Sequence, residues 1–351
     1  MDVTAGDVLL YRGHGFLSRA IRFLDGGEVN HAAIALSATD QAEAAAHGLD
    51  VSLIARAAEG AQAVIVMRAE DADTGAAVAR ARAYLDDGVP YAYQQILLLA
   101  GLCLTRRVPI DNALFRRALR RILEAAAELL NALVDRGTDL MICSEYVYRC
   151  YREAGLDLVP GVPGAAAVPG AAVPEAAAAP GAAPEAAALP GGAVPEATTA
   201  PGAVPEAAAV PAGPGDGVVL MEWLETRPLP ESAPVAGATA DPAAVAERAE
   251  YEVDELLARY FVAEEGSAVA PAGAVLEVEA VLPEVTDEEI AAAAAALGAA
   301  AARARQPGGA VMESAIDPVG ALRSLFSTNA NFVTPRDLHV SALLHEVDRV
   351  P

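Results

Sequence analysis

The stretch Ile142-Cys143-Ser144-Glu145-Tyr146-Val147 decides the fold that we predict for this sequence. It places a thiol at the first turn of a predicted helix that runs to Gly155. The positive end of a helix dipole favours a thiolate, which is the nucleophilic form of cysteine. The first backbone N–H groups of a helix have no partner within the helix, so they are able to stabilise an oxyanion. The stretch therefore predicts Cys143 as a nucleophile.

A thiol nucleophile works with a base, and His31 is the best candidate for that base. It opens a predicted buried strand in Asn30-His31-Ala32-Ala33-Ile34. A third group should orient the imidazole, as in other catalytic triads. Glu43 falls where the edge of a neighbouring strand is expected, and His47 is the alternative. A lone cysteine or histidine is more commonly a packing residue, so these assignments depend on the segments around them.

Those segments predict an α+β domain over residues 1–159, in which a small antiparallel sheet packs on helices. Short apolar runs indicate strands, and apolar residues at helical spacing indicate helices. The predicted strands span residues 7–11, 31–36, 51–54 and 63–67. The predicted helices span residues 16–24, 74–86, 112–136 and 143–155, with a further apolar helix that ends at Leu104.

Residues 160–327 differ in composition from this domain and are predicted to be a long insertion. From Pro160 to Gly217, proline recurs among Ala, Gly and Glu, which predicts a disordered acidic tether because little large apolar surface is present to be buried. Two Ala/Glu-rich islands, 241–262 and 287–305, predict marginal helices on the surface. Large apolar residues return in 328–351, so we expect this C-terminal segment to fold back onto the first domain.

Composition argues against several classes of function. The net charge is −24, so nucleic acids and anionic membrane surfaces would repel the chain. Three cysteines cannot all pair, and no closely spaced pair of ligands predicts a zinc site, so we expect no disulfide framework, metal or cofactor. The start of the sequence does not resemble a signal peptide, and the longest apolar run, 96–104, is about half a membrane span. We therefore expect a cytoplasmic protein without stable membrane insertion.

Several short segments together resemble the permuted papain-like amidases of the YaeF/YiiX group, relatives of NlpC-type cell-wall peptidases and of lecithin retinol acyltransferase. They follow the order of that family. They are Gly6-Asp7-Val8-Leu9-Leu10, Leu17-Ser18-Arg19-Ala20-Ile21-Arg22, Asn30-His31-Ala32-Ala33-Ile34, Gly88-Val89-Pro90-Tyr91, Cys143-Ser144-Glu145-Tyr146-Val147, Tyr151-Arg152-Glu153-Ala154-Gly155 and Thr334-Pro335-Arg336-Asp337-Leu338. Glu43-Ala44 also fits the strand that follows the histidine strand in this family.

The resemblance implies a circularly permuted papain-like, NlpC-like fold and a thiol-dependent hydrolase. The permutation places His31 before Cys143, the reverse of papain; a triad is defined by geometry and not by sequence order. The implied substrate is a small peptide, an amide or a lipid ester, cleaved through an acyl-enzyme on Cys143, with Ser144 and Tyr91 as candidate oxyanion or substrate contacts. Two alternatives remain open: a non-catalytic binding module on the same fold, and an acyltransferase that passes the acyl group to a lipid or protein.

Overall fold

The computed structural model describes the chain in eleven ranges, which contain the α+β arrangement predicted from the sequence. The ranges are 1–45, 48–69, 74–86, 94–135, 142–160, 217–227, 229–230, 241–267, 284–304, 317–326 and 332–351. They all belong to one compact unit, which joins residues 1–164 to residues 211–351. The α+β class and an antiparallel sheet packed against helices are confirmed.

Six antiparallel strands form the main sheet, in the order β4-β3-β2-β1-β5-β8. The strands are β1 (Val8–Gly13), β2 (His31–Ala35), β3 (Asp40–Ala45), β4 (Gly48–Leu53), β5 (Ala61–Ala69) and β8 (Leu344–Val350). A separate two-stranded pair joins β6 (Arg107–Val108) to β7 (Val218–Val219). Side chains alternate between the faces of a strand, so Val8 and Leu10 lie on one face of the sheet while Leu9 and Tyr11 lie on the other.

Eleven helices are present among the described residues. They are α1 (Phe16–Asp25), α2 (Ile54–Glu59), α3 (Gly75–Asp86), α4 (Gln94–Thr105), α5 (Ala113–Asp135), α6 (Cys143–Glu153), α7 (Leu220–Glu225), α8 (Pro242–Ser267), α9 (Asp287–Ala304), α10 (Pro318–Phe326) and α11 (Pro335–His339). Residues of α3 and α6 pack on one face of the sheet, in the same apolar cluster as Val8 and Leu10. A larger, mainly helical cluster contains residues from α1, α4, α5 and α7 to α10, together with Val108 of β6.

The helices α8 and α9 correct the prediction of marginal surface helices in the insertion. In α8 a stripe of apolar residues recurs every four positions and is buried; it consists of Val245, Ala249, Val253, Leu257 and Phe261. In α9 small side chains allow close packing, and a Cβ atom on Gly298 would lie 2.6 Å from Pro318. Alanine buries little area by itself, so the alanine-rich composition predicted surface helices. The structure instead buries one side of each helix in the core.

The C-terminal segment lies against the N-terminal half of the chain. Strand β8 pairs with β5, with Ala69 opposite Leu344 and Val64 opposite Val350. Helix α11 begins with a capping box, in which Thr334 and Asp337 each accept a hydrogen bond from the other's backbone N–H. Leu338 is buried in the same cluster as the apolar side of α6. Helix α6 is therefore packed between early and late parts of the sequence.

Several predictions concern residues outside the described ranges. The proposed tether falls mainly on residues 161–216, and the Gly88-Val89-Pro90-Tyr91 turn and His47 are likewise outside the described part of the chain. Their predicted roles stay predictions. In the part of the chain that is described, no helix combines the length and apolarity needed to cross a membrane.

Candidate active site

Cys143 is the first residue of α6, as the sequence predicts. Ile142 before it is extended, and the first helical hydrogen bond runs from the Tyr146 N–H to the Ile142 carbonyl at 2.9 Å. The Glu145 side chain turns back and accepts a hydrogen bond from the Ile142 N–H at 3.4 Å. This arrangement fixes where the helix begins, so the thiol lies at the positive end of its dipole.

His31 is the first residue of β2 and lies opposite Tyr11 of β1 in the sheet. The preceding residue, Asn30, is buried, and its Oδ1 accepts a hydrogen bond from the Gly13 N–H at 2.7 Å. Its Nδ2 donates to the Ser18 hydroxyl oxygen at 3.1 Å. The strand start is therefore anchored on both sides, which limits the positions open to the imidazole.

Glu43 lies on β3, the strand next to β2, and its carboxylate meets the imidazole. The distance from His31 Nε2 to Glu43 Oε2 is 2.7 Å. The other oxygen, Oε1, accepts hydrogen bonds from Ser52 Oγ at 2.6 Å and from Gln41 Nε2 at 3.1 Å. With both oxygens engaged, the carboxylate holds the ring in one orientation.

The Cys143 thiol completes the series. It is hydrogen-bonded to His31 and to the backbone N–H groups of Ala32 and Ser144. Because Glu43 occupies Nε2 of the ring, Nδ1 is the nitrogen left to face the sulfur. Cys143 is only 2% exposed, whereas the His31 and Glu43 side chains are 18% and 16% exposed. The structure thus brings three of the predicted site residues together in the order thiol, imidazole, carboxylate.

The charges of these groups reinforce one another. Burial opposes ionisation of the thiol, but the charge and hydrogen bond of His31 outweigh it and lower the pKa of Cys143 below its usual range. Burial likewise disfavours an imidazolium, but the sulfur and Glu43 raise the pKa of His31 to about 10. Burial alone would raise the pKa of Glu43. The hydrogen bonds from His31, Ser52 and Gln41 outweigh burial, and the pKa of Glu43 is lowered to about 2. The interaction with His31 therefore favours ionisation of the thiol, and the interaction with the sulfur and Glu43 favours the imidazolium.

A second layer of polar groups, which the sequence did not reveal as part of the site, supports Glu43. Gln41 is fully buried, and its Oε1 accepts a hydrogen bond from the Tyr11 hydroxyl. Its Nε2 also donates to Ser52 Oγ at 3.1 Å. The available signal was the alternation in Asp40-Gln41-Ala42-Glu43-Ala44, which puts Gln41 and Glu43 on the same face of a strand.

Ser144 is a candidate oxyanion or substrate contact, and its hydroxyl makes a hydrogen bond elsewhere in the structure. Its side chain is buried and donates a hydrogen bond to the Val333 carbonyl oxygen, so the hydroxyl is already engaged. Only its backbone N–H points to the sulfur. The other candidate contact, Tyr91, and the alternative third residue, His47, lie outside the described ranges.

The remaining cysteines are inert by position. Cys103 and Cys150 are fully buried, and their burial raises the pKa of each thiol. Among the described residues, no group of three or more His, Cys, Asp and Glu side chains is arranged to hold a metal ion.

A cavity of about 450 Å³ opens beside the imidazole. His31 and Glu43 line it together with His14, Ser18, Gln95 and Glu250. Glu250 belongs to α8, far along the sequence from the other lining residues, and no local motif pointed to it. Comparisons with protein-family models, with curated proteins and with solved structures give no match for the chain.

Proposed function

We propose that the protein is a thiol-dependent hydrolase that cleaves an amide or ester bond through an acyl-enzyme on Cys143. The observation that carries this proposal is the hydrogen-bonded series Cys143–His31–Glu43 at the start of α6. An ion pair between a thiolate and an imidazolium supplies both the nucleophile and the acid that such a reaction needs. A purely structural cysteine, such as Cys103, has a raised pKa and no such partner among the described residues.

In the proposed reaction the Cys143 sulfur attacks the substrate carbonyl carbon. A carbon–sulfur bond forms, and the carbonyl π electrons move to oxygen, which becomes an oxyanion. The N–H groups at the start of α6, including that of Cys143 itself, would stabilise this charge, because the first N–H groups of a helix have no partner within it. Protonated His31 then gives its proton to the leaving amine or alcohol as the carbon–oxygen double bond re-forms.

Hydrolysis of the acyl-enzyme reverses the roles. Neutral His31 removes a proton from water, the resulting hydroxide equivalent attacks the thioester carbon, and the carbon–sulfur bond breaks. The products are a carboxylic acid and the Cys143 thiolate, with the proton held by His31. Glu43 keeps the imidazole oriented and stabilises its charge through both steps, which is the usual role of the third member of a triad.

We also infer that the chain is a divergent member of the permuted papain-like amidases. The support is the order of the two residues, with His31 on a strand before Cys143 on a helix, and the packing of that helix against an antiparallel sheet. Strand β3 carries the acidic third residue immediately after the histidine strand, where that family has it.

Two measurements test the proposed function. The first is the ultraviolet absorbance of the thiolate across the pH range, taken as the difference between wild type and Cys143→Ala, in which Cys103 and Cys150 are common to both proteins. We expect a thiolate on Cys143 well below the pH at which an ordinary thiol ionises. The second is intact-mass detection of an acyl adduct on Cys143 after exposure to pooled peptide, amide and lipid-ester substrates. Hydrolysis that survives in Cys143→Ala would overturn the proposal.

A further inference from the structure

Gln41 links the Glu43 carboxylate to a phenol two strands away. It lies on β3, opposite Ala35 of β2, and its side chain crosses β2 to reach Tyr11 on β1. Ala33 and Ala35 are buried on the same face of the sheet as Tyr11, and their small side chains leave space for this crossing. Gln41 is fully buried, and Tyr11 is only 4% exposed. The contact is therefore made inside the protein and not at its surface.

The hydrogen bonds around Gln41 run in one direction, towards the Glu43 carboxylate. An ionised carboxylate can only accept hydrogen bonds, so the Gln41 amide turns its Nε2 donor to Glu43 Oε1, at 3.1 Å. The Gln41 Oε1 acceptor is then left for Tyr11, whose hydroxyl donates to it. Nε2 also donates to Ser52 Oγ at 3.1 Å, and the Ser52 hydroxyl uses its only proton in its 2.6 Å hydrogen bond to Glu43 Oε1. Reversing the amide would place two acceptors against each other.

The buried pair of Tyr11 and Gln41 has a cost that an apolar pair of similar size would not have. A phenol and an amide lose their contacts with water on burial, and only hydrogen bonds within the protein offset that loss. Burial and the charge of Glu43 raise the pKa of Tyr11, so the phenol keeps the proton that it donates. Compared with an apolar pair, the polar pair adds a second donor on Glu43 Oε1 and an acceptor-side contact on Ser52. Both additions act on the third member of the candidate triad.

The donors on Oε1 determine how the Glu43 carboxylate is turned. The last side-chain bond of a glutamate has a broad rotational preference, so either oxygen could face the imidazole. Gln41 and Ser52 hold Oε1, and Oε2 is thereby kept at 2.7 Å from His31 Nε2. Ser52 belongs to the edge strand β4 and is partly exposed, whereas Gln41 is fully buried on an interior strand. Gln41 is therefore the donor whose position the fold fixes more tightly.

We propose that Gln41, held by Tyr11, is a positioning residue for the proposed reaction, in which it keeps the Glu43 carboxylate directed at His31 and so favours ionisation of Cys143. The role in catalysis rests on the proposed function, but the effect on the thiol is measurable without a substrate. Because this influence passes through Glu43, it should disappear when Glu43 is itself changed.

Gln41→Met tests the proposal because it keeps a long, flexible side chain and removes both hydrogen-bonding groups. The matched control is Asn131→Leu, which removes another buried amide, one that accepts a hydrogen bond from Arg303 Nη1 at 2.6 Å in the helical part of the protein. Thermal unfolding of each variant verifies that it is folded before it is compared. The measurement is the thiolate absorbance against pH, taken for each protein as the difference from the same protein carrying Cys143→Ala.

We expect Gln41→Met to form the Cys143 thiolate about half a pH unit or more above wild type, because a less well directed carboxylate stabilises the imidazolium less. Asn131→Leu should titrate with wild type. In a Glu43→Gln background, Gln41→Met should produce less than half of the shift that it produces in wild type, which is the coupling expected of residues that act through one another. Coincident titrations of Gln41→Met and wild type, equal shifts in the two backgrounds, or an equal shift in Asn131→Leu would each overturn the positioning role.

Tyr11→Phe carries the test if Gln41→Met does not fold, since it removes only the hydroxyl that holds Gln41. Its control is Tyr151→Phe, which removes a buried hydroxyl that donates to the Gly6 carbonyl oxygen. We expect Tyr11→Phe to shift the thiolate titration upwards by less than Glu43→Gln does, and Tyr151→Phe to leave it in place. Tyr11→Phe that titrates with wild type overturns the proposal.

Intact-mass detection of an acyl adduct on Cys143, with the pooled substrates, separates this inference from the proposed function. If wild type forms the adduct and its thiolate titration does not depend on Gln41, the positioning role is wrong and the hydrolase stands. If the titration depends on Gln41 through Glu43 but no substrate acylates Cys143, the hydrolase is wrong and the positioning of Glu43 by Gln41 stands.

Discussion

The Ser144 hydroxyl donates a hydrogen bond to the carbonyl oxygen of Val333, across 189 residues of sequence. Both groups are buried, and Ser144 directly follows the candidate nucleophile. The contact therefore joins the start of α6 to the segment that leads into α11. Its energetic role is to satisfy a buried carbonyl and to fix the position of the first turn of α6, on which the geometry of Cys143 depends.

Ser144→Ala should destabilise the protein and leave the charge state of the thiol unchanged. The Val333 carbonyl would lose its buried partner, which costs about 1–3 kcal/mol in the free energy of unfolding. Urea unfolding measures this loss. The control is Thr226→Ala, which removes a hydroxyl-to-carbonyl hydrogen bond at an exposed site and should cost about 0.5 kcal/mol or less. Unchanged stability together with lost acylation would instead favour the predicted role of Ser144 as a substrate contact.

Glu43→Gln should raise the pH at which the Cys143 thiolate forms. Glutamine keeps an acceptor for His31 Nε2 but removes the negative charge that stabilises the imidazolium, so the imidazolium in turn stabilises the thiolate less. A shift of one pKa unit changes the thiolate fraction about tenfold below the midpoint. The thiolate absorbance, followed against pH, measures the shift. Glu59→Gln, on the exposed side of α2, serves as the control. Coincident titrations of the Glu43 variant and wild type would rule out Glu43 as the third member.

The same carboxylate should contribute to stability at neutral pH and cease to do so in acid. The folded state lowers the pKa of Glu43 from 4.5 to about 2, so its ionisation stabilises the folded state above about pH 4.5. That contribution is lost as the pH falls towards 2. The difference in unfolding free energy between wild type and Glu43→Gln should therefore be smaller at pH 3 than at pH 7. A difference of the same size at both values contradicts the assigned pKa direction.

Sequence reasoning succeeded where local pattern and local structure agree. The apolar spacing in α1 and the run that forms β2 predict elements that match the observed ones within one residue at either end. Strand β3 was harder to predict because Asp40 and Gln41 are polar residues in a strand whose polar face belongs to the site. Its polarity is required by the network around Glu43, so function overrides the usual strand pattern there.

The sequence did not predict that α8 lines the cavity beside His31, and the reason is a different one. Glu250 joins the cavity only because α8 packs against α1 and α5, and its place depends on tertiary contacts between distant segments. No spacing in the sequence links it to His31. The alanine-rich composition of α9 concealed its burial in the same way, since the fit of small side chains between helices is a property of the assembled core.

Leu257→Ala tests whether α8 belongs to the core. The place of Glu250 in the cavity beside His31 depends on this packing. Leu257 is fully buried in the mainly helical cluster, and its truncation should lower the free energy of unfolding by about 2–5 kcal/mol. The control, Val262→Ala, changes a residue of the same helix that is 57% exposed and should alter stability by about 0.5 kcal/mol or less. Urea unfolding of both variants measures the contrast. If the two substitutions lower the free energy of unfolding equally, α8 is the marginal surface helix that its composition suggested. Glu250 then has no fixed place in the cavity beside His31. If Leu257→Ala destabilises the protein much more than Val262→Ala does, α8 is part of the folded core and supplies one wall of the cavity beside His31.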